Sequence, residues 1–349
     1  MIILSLLSFT AITAQVSPLT KSIDERYQAA TKEGFNGSVL VVKGGKVVLT
    51  KGYGLSEPNG RDQITPSTIF PIGSVSKWFT GMVILRLEQD KKLKLTDRIG
   101  SFVSGVPADK KEITIQQLVS HSAGFGEYID RPGEGGDFAQ IDKKTALSRL
   151  LGEKLLFKPG AKSEYSNNGY TMLAIIIEKV TGKSWQEAVR KFVFEPAKMT
   201  RSGFFGEKKW PATDFAVGYN AKTHGTKNCP FYWGAPTWSI IGAGGIISTP
   251  GDLGKAVLAL TQGKIVSKVN EPRMFSALSG NEGFGWMIGK NRAGNPFCNV
   301  GGGDNFGFFC GVFYLPTEGN LVVSCINSDR PRKVEAANMD VLKMLQAGR

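Results

Sequence analysis

Phe70-Pro-Ile-Gly-Ser-Val-Ser-Lys-Trp-Phe-Thr80 is the stretch around which the chain reads best. Ser74 and Lys77 stand three residues apart, which puts both side chains on one face of a helix. Pro71 and Gly73 predict a loop-to-helix entry. The apolar Val75, Trp78, Phe79, Met82, Val83 and Leu85 predict a helix buried nearly all round, with a polar pair at its first turn. A serine there gains from backbone N–H groups and a helix dipole that favour negative charge. A lysine one turn on can activate it, giving the serine/lysine form of an activated nucleophile. The chain contains one Ser-x-x-Lys. The tetrapeptide alone also suits the wet face of an ordinary amphipathic helix, so its flanking residues carry the reading.

A second stretch, Phe157-Lys-Pro-Gly-Ala-Lys-Ser-Glu-Tyr-Ser-Asn-Asn-Gly-Tyr170, places Tyr165-Ser166-Asn167 in a polar loop just before a helix. A tyrosine held near a lysine has its phenolate favoured and can act as general base. Asn167 both donates and accepts hydrogen bonds, which suits it to hold Lys77 and a substrate amide. Taken alone, an N-cap beside a packed aromatic explains this stretch equally well.

Around these two stretches the apolar period changes twice. A helix is expected over 22–33. Two β-rich runs flank Gly44-Gly45, a strong hairpin signal, and the Ser74 helix should run to about Gln89. From Leu95 the middle reads as mostly helical, with a capping box at Thr114–Gln117 and helical spacing over 143–151, 170–180 and 184–193. Thr249-Pro-Gly-Asp252 starts another helix. Residues 283–288, 296–300, 308–315 and 320–327 read as successive strands, and 333–346 as a closing helix. The fold class is therefore α+β. Hairpin and meander join in one antiparallel sheet over about 22–70 and 270–349, flanked by the terminal helices, with a helical lobe over about 71–269.

At 349 residues, 41% hydrophobic and 21% charged, the chain can bury a sizeable core. Met1–Phe9 resembles the apolar core of a secretory signal, although no lysine or arginine precedes it. A leader over 1–14, or to about residue 20, implies a secreted or periplasmic protein with its mature domain over 21–349. Export would let disulfides persist. Cys310 and Cys325 should face each other across a hairpin; four cysteines allow three full pairings, and buried free thiols in the sheet are the preferred reading over any of them. With His121 and His224 as the only histidines and no Cys-x-x-Cys, no metal site is expected. The net charge of +13 is scattered, without a basic arm or recognition motif. No nucleic-acid partner is expected, only weak attraction to anionic envelope polymers.

Taken together, Ile72-Gly-Ser-Val-Ser-Lys77, Leu118-Val-Ser-His-Ser-Ala-Gly-Phe125, Tyr165-Ser-Asn-Asn-Gly-Tyr170, Ile175-Ile-Glu-Lys-Val-Thr-Gly-Lys-Ser184 and Gly242-Ala-Gly-Gly-Ile-Ile-Ser-Thr249 occur in order. This chain resembles the serine β-lactamase and penicillin-recognising enzyme superfamily, in the class C-related branch. That branch includes D-alanyl-D-alanine carboxypeptidases, D-aminopeptidases and family VIII carboxylesterases. The resemblance runs from Gly37 to about Asn327. It implies that Ser74 is the acylated nucleophile, that Lys77 and Tyr165 share the proton transfers, that Asn167 positions substrate, and that no cofactor is needed. It also implies that His121 is structural, and that the oxyanion hole uses the Ser74 N–H with one from the strand of a third motif.

That third motif departs from the family. The resemblance calls for Lys or His, a small residue, then Gly, ahead of a Gly-Phe pair. Aligning on Gly307-Phe308 puts Gly301-Gly302-Gly303 there with Asp304 next, so Gly301 replaces the side chain that would meet a substrate carboxylate. The expected activity is acyl transfer from a small-molecule or peptide substrate, with cell-wall-derived substrates among the candidates, to water. D-amino-acid or β-lactam-like amides compete with small carboxylic esters as the bond attacked. The alternative is a catalytically impaired penicillin-binding-like protein acting as a binding module.

Overall fold

The computed structural model describes residues 17–347, apart from 58–59, 128–131, 220–227, 292, 304–305 and 329–330. The expected leader therefore lies outside the described residues up to 16. Ser17 caps a first helix, α1 (Pro18–Lys32), with proline in its first turn, so this helix opens earlier than the apolar spacing predicts. The hairpin forms as expected, from β1 (Gly37–Lys43) and β2 (Lys46–Tyr53). Gly44 and Gly45 hold φ of 56° and 78°, the left-handed pair that a two-residue type I′ turn demands.

A short strand, β3 (Phe70–Pro71), leads through a 3-10 turn at Gly73–Val75 into α2 (Ser76–Gln89). The region after Leu95 is less helical than expected. It is built of 3-10 turns before the short α3 (Ile115–Val119), where Thr114 and Gln117 form the anticipated capping box. Then come α4 (Lys143–Gly152), α5 (Asn167–Thr181), and α6 (Trp185–Val189), which continues through a π-turn into α7 (Glu195–Ala197). Two more strands, β4 (Gly203–Phe204) and β5 (Ile246–Ser248), pair with β3 in a small sheet of order β3-β5-β4 inside the expected helical lobe. Strands this short leave no alternation to read. Thr249 caps α8 (Pro250–Thr261) as expected.

The meander is β6 (Met287–Lys290), β7 (Pro296–Gly303), β8 (Phe309–Leu315) and β9 (Asn320–Ile326), before α9 (Pro331–Ala347). The strand expected over 283–288 begins only at Met287, while β7 runs three residues further than expected, through the glycine triplet. Among the described residues the large sheet has the order β2-β1-β9-β8-β7-β6, with every pairing antiparallel. Strand β1 pairs with β9, joining the two ends of the chain.

Helices α1 and α9 cover one face. Ile23, Tyr27, Val334, Val341 and Leu345 pack against Val39, Val41, Val322 and Ile326. Tyr27 Oη donates to Asn338 Oδ1 (2.9 Å), and Asn338 Nδ2 donates to Ser324 Oγ (2.7 Å), tying both helices to β9. The other face packs Leu40, Val312, Val323 and Cys325 into the core that contains α2 and α5. Burial on both faces explains why β1 and β9 read as unbroken apolar runs. Cys310 and Cys325 oppose each other directly, with Sγ atoms 3.4 Å apart. These two, Cys229 and Cys298 are all buried free thiols.

Candidate active site

Helix α2 carries the site because almost all of it is inside the protein. Residues Ser76–Leu85 and Leu87 are buried, so the lysine one turn in is buried with them. Ser74 sits just ahead, on the 3-10 turn, at the floor of an open cleft of about 510 Å³. Its position is set by glycine on both sides. Gly73 has φ of 52°, and a Cβ there would come within 2.8 Å of the Gly303 carbonyl oxygen. A Cβ on Gly302 would lie 2.1 Å from the Ile72 carbonyl oxygen and 2.6 Å from the Ser74 nitrogen. Strand β7 is thus pressed backbone to backbone against the serine turn.

Three polar atoms converge above this contact. Tyr165 Oη lies 2.5 Å from Ser74 Oγ and 2.5 Å from Lys77 Nζ, and Lys77 Nζ lies 3.1 Å from Ser74 Oγ. Lys77 is 2% exposed, whereas Tyr165 is 44% exposed and faces the cleft. Burial pulls the Lys77 ammonium down to about 7, against the opposing fields of Glu127 and Asp137. A lysine so placed is available in its neutral form near pH 7 and can accept a proton. The tyrosine can pass its proton to one neighbour while taking another from the serine, so the triangle is a closed relay.

The loop before α5 holds Tyr165 in place. Ser166 caps that helix, accepting from the Gly169 N–H (3.1 Å) and donating to the Gly126 carbonyl (2.9 Å). The Ser166 N–H donates to His121 Nδ1 (3.0 Å), and the His121 ring packs between Tyr165 and Tyr170 with centroids 4.9 and 5.0 Å away. Burial and the Lys77 charge hold His121 at about 3, so it is neutral and a fixture of the loop. Asn167 accepts from Tyr165 Oη at 3.2 Å and donates to Glu127 Oε2 at 3.2 Å. Its expected hold on Lys77 is supplied instead by the Ala243 carbonyl, 3.2 Å from Nζ, while the Gly242 carbonyl accepts from Thr80 Oγ1. Sequence reading has no purchase on a main-chain oxygen. Glu127 and Asp137, both in glycine-containing loops without periodicity, likewise carry no local signal.

The structure corrects the reading of the glycine triplet. Gly301 and Gly303 pair with Gly311 and Phe309, and a Cβ on Gly301 would meet the Phe309 ring at 3.2 Å. Phe309 belongs to the face covered by the terminal helices. The pleat therefore turns Gly301 away from Ser74, and Gly301 cannot stand where a substrate-facing cation would stand. Gly302 and the buried Val300 share the serine's side of the sheet. The cation is still missing there, but Val300 is its nearest site-facing neighbour along the strand. Gly303 lines the cleft beside Ser74, and Asp304 lies outside the described residues.

The family model described as Beta-lactamase matches residues 24–346. The chain belongs to the β-lactamase family. Within that family it is 31% identical, over 73% of its length, to the teichoic acid D-alanine hydrolase of Staphylococcus aureus strain MRSA252, of which the match covers 61%. It is also 31% identical over 75% of its length to the putative penicillin-binding protein PbpX of Bacillus subtilis, with 64% of that protein covered. The matches thus span less than two thirds of these relatives. Among solved structures, the octameric penicillin-binding protein homologue from Pyrococcus abyssi superposes with a TM-score of 0.73 at 28% identity. That superposition covers 90% of this chain and 74% of the other. The family's α+β fold, with its antiparallel sheet and flanking helices, is the one described above. Among the described residues, no helix is long and apolar enough to cross a membrane.

Proposed function

We propose that this chain is an exported serine hydrolase that cleaves acyl esters through a covalent acyl-enzyme. The observation that carries the reading is the triangle of Ser74 Oγ, Tyr165 Oη and Lys77 Nζ, closed at 2.5, 2.5 and 3.1 Å. Ser74 Oγ adds to the substrate carbonyl carbon while its proton passes to Tyr165 and on to neutral Lys77. The oxyanion is received by the N–H groups of Ser74 and Gly303. Collapse breaks the acyl–oxygen bond, and the departing alcohol takes the proton back through Tyr165. Water then adds to the acyl-enzyme by the same relay, releasing the acid and restoring Ser74.

An ester is favoured over a carboxylate-bearing peptide or β-lactam because Val300 and Gly302, on the serine side of β7, supply no cation. A charge-assisted hydrogen bond to a substrate carboxylate is worth about 1.5–3 kcal/mol, and among the described residues the serine side of β7 does not supply it. The similarity to a teichoic acid D-alanine hydrolase supports a D-alanyl ester as the natural bond. The leader expected at the N-terminus and the scattered positive charge fit a place among anionic envelope polymers.

Fluorophosphonate labelling with mass mapping tests this directly. One labelled residue is expected, Ser74, together with turnover of short-chain p-nitrophenyl esters that Ser74→Ala abolishes. Labelling that persists in Ser74→Ala, or a cephalosporin turned over faster than any ester, would refute the reading.

A further inference from the structure

Two nucleophilic side chains outside the catalytic triangle stand in the same sheet row as the strand that presses on the serine turn. Gly302 pairs with Cys310, Cys310 with Cys325, and Cys325 with Ser38. Residues directly opposite across neighbouring strands share one side of the pleat, and Gly302 marks this side as the one facing Ser74. Both thiols are 0% exposed and sit in the core around α2 and α5. Their Sγ atoms are 3.4 Å apart, with Cys325 donating to Cys310.

Opposed residues of antiparallel strands have Cα atoms about 4.5–5.5 Å apart, inside the range of about 4.4–6.8 Å that a disulfide spans. Side-chain rotation alone therefore closes the gap to a bond of about 2.05 Å, with neither strand moving. Cys298 has no such facing thiol, since it stands opposite Ile288 and Tyr314, and Cys229 lies outside the sheet. The pair is also local. Cys310 and Cys325 are 15 residues apart on one hairpin, whereas the pairing of β1 with β9 joins the two ends of the chain. Local contacts form first, so both sulfurs are open to solvent on the young hairpin and shut away once the sheet closes.

We propose that Cys310 and Cys325 are a disulfide site, oxidised on the β8–β9 hairpin and then sealed by closure of the sheet. The co-reactant is another disulfide, carried by a small molecule or a protein. The thiolate of one cysteine attacks that disulfide, forming a mixed disulfide and releasing one thiolate. The second cysteine thiolate attacks the protein-side sulfur, forming the Sγ–Sγ bond and expelling the other thiolate. Two protein thiols are oxidised, one disulfide is reduced to two thiols, and the two protons pass to those leaving groups. An oxidising compartment, as export would provide, supplies such a partner. The bond staples β8 to β9 in the row that continues to Gly302, and it is independent of which bond Ser74 attacks.

The test synthesises the full chain cell-free in two mixtures, one buffered with reduced and oxidised glutathione, the other containing dithiothreitol. The soluble product is unfolded in guanidinium with excess N-ethylmaleimide and weighed intact. Of the four cysteines, two should be alkylated in the glutathione-made protein and all four after prior reduction. Peptide mapping should find Cys310 joined to Cys325. The dithiothreitol-made protein should carry four adducts, and should still carry four after the folded protein is transferred to the glutathione mixture. The bridged form should melt about 4 °C above the reduced one, the effect of closing a 15-residue loop in a chain of this length.

Four adducts on the glutathione-made protein, or a bridge that uses Cys229 or Cys298, overturns the site. Oxidation of the folded, reduced protein as fast as of the chain unfolded in guanidinium overturns the proposed order of closure. Each of these outcomes leaves the hydrolase reading standing, because labelling of Ser74 by fluorophosphonate is read separately.

Discussion

Replacing Lys77 with methionine should stabilise the protein while destroying its activity. The side chain is 2% exposed, and burial lowers its pKa from 10.5 to about 7. Between those values the unfolded chain holds a proton that the native state has released, so stability rises with pH across that window. At about 1.4 kcal/mol per pKa unit, burying this amine costs about 5 kcal/mol at pH 7 and below, and nothing above about pH 10.5. Methionine removes that cost. It also removes the hydrogen bonds to Ser74, Tyr165 and the Ala243 carbonyl, worth about 1 kcal/mol each. Lys77→Met should therefore gain about 2 kcal/mol near pH 6–7, and the gain should shrink and reverse towards pH 10. Urea unfolding of both proteins at a series of pH values between 6 and 10 reads this out through the midpoint, with the m-value as a check on the denatured state. A variant less stable than wild type at pH 6, or a difference that does not move with pH, would refute the electrostatic account of the site.

Three further outcomes test the same site. Gly302→Ala drives a Cβ into the Ile72 carbonyl and the Ser74 nitrogen, so it should cost about 1–3 kcal/mol of stability and most of the turnover. Gly301→Ala meets only the movable Phe309 ring and should stay within about 0.5 kcal/mol of wild type by thermal unfolding; equal effects of the two substitutions would show that the pleat assignment is wrong. With a neutral ester, kcat/KM should fall on the acid side of about pH 7 as Lys77 becomes protonated, because the relay needs its free amine. A profile flat from pH 5.5 to 8.5 would remove Lys77 as the proton acceptor.

Much of the fold was legible because its signals are local. The Gly44-Gly45 turn, the caps at Thr114 and Thr249, and the apolar periods of α4, α5 and α9 are each written within a few residues. Ser74, Lys77 and Tyr165 were legible as a set because the proposed chemistry would be carried by side chains, and the structure brings all three together. What escaped was carried by backbone or by distance. The Ala243 carbonyl that holds Lys77 could come from any residue type. The small sheet of two- and three-residue strands is too short to show a period. Gly301 was misplaced because an alignment anchored at Gly307-Phe308 fixes order along the chain but not the side of the pleat. A one-residue difference in that anchor turns every position to the opposite face.

The pairing of β1 with β9 has a consequence for how the protein comes to exist. Gly37 can pair with Tyr53 early but finds its β9 partner only when Ile326 has been made, and β7, which presses on the serine turn, lies inside that same late-closing sheet. Contacts so distant in sequence form slowly, because a long loop must be closed before they repay its entropy. During synthesis, α2 and α5 can pack on each other well before the sheet exists. Over that interval Ser74 and Lys77 are present, yet neither Gly302 nor Gly303 has arrived to fix the serine's N–H. On the proposed mechanism the chain should therefore pass through its early compact states as an inert protein, acquiring a nucleophile with a formed oxyanion site only when its last strands dock.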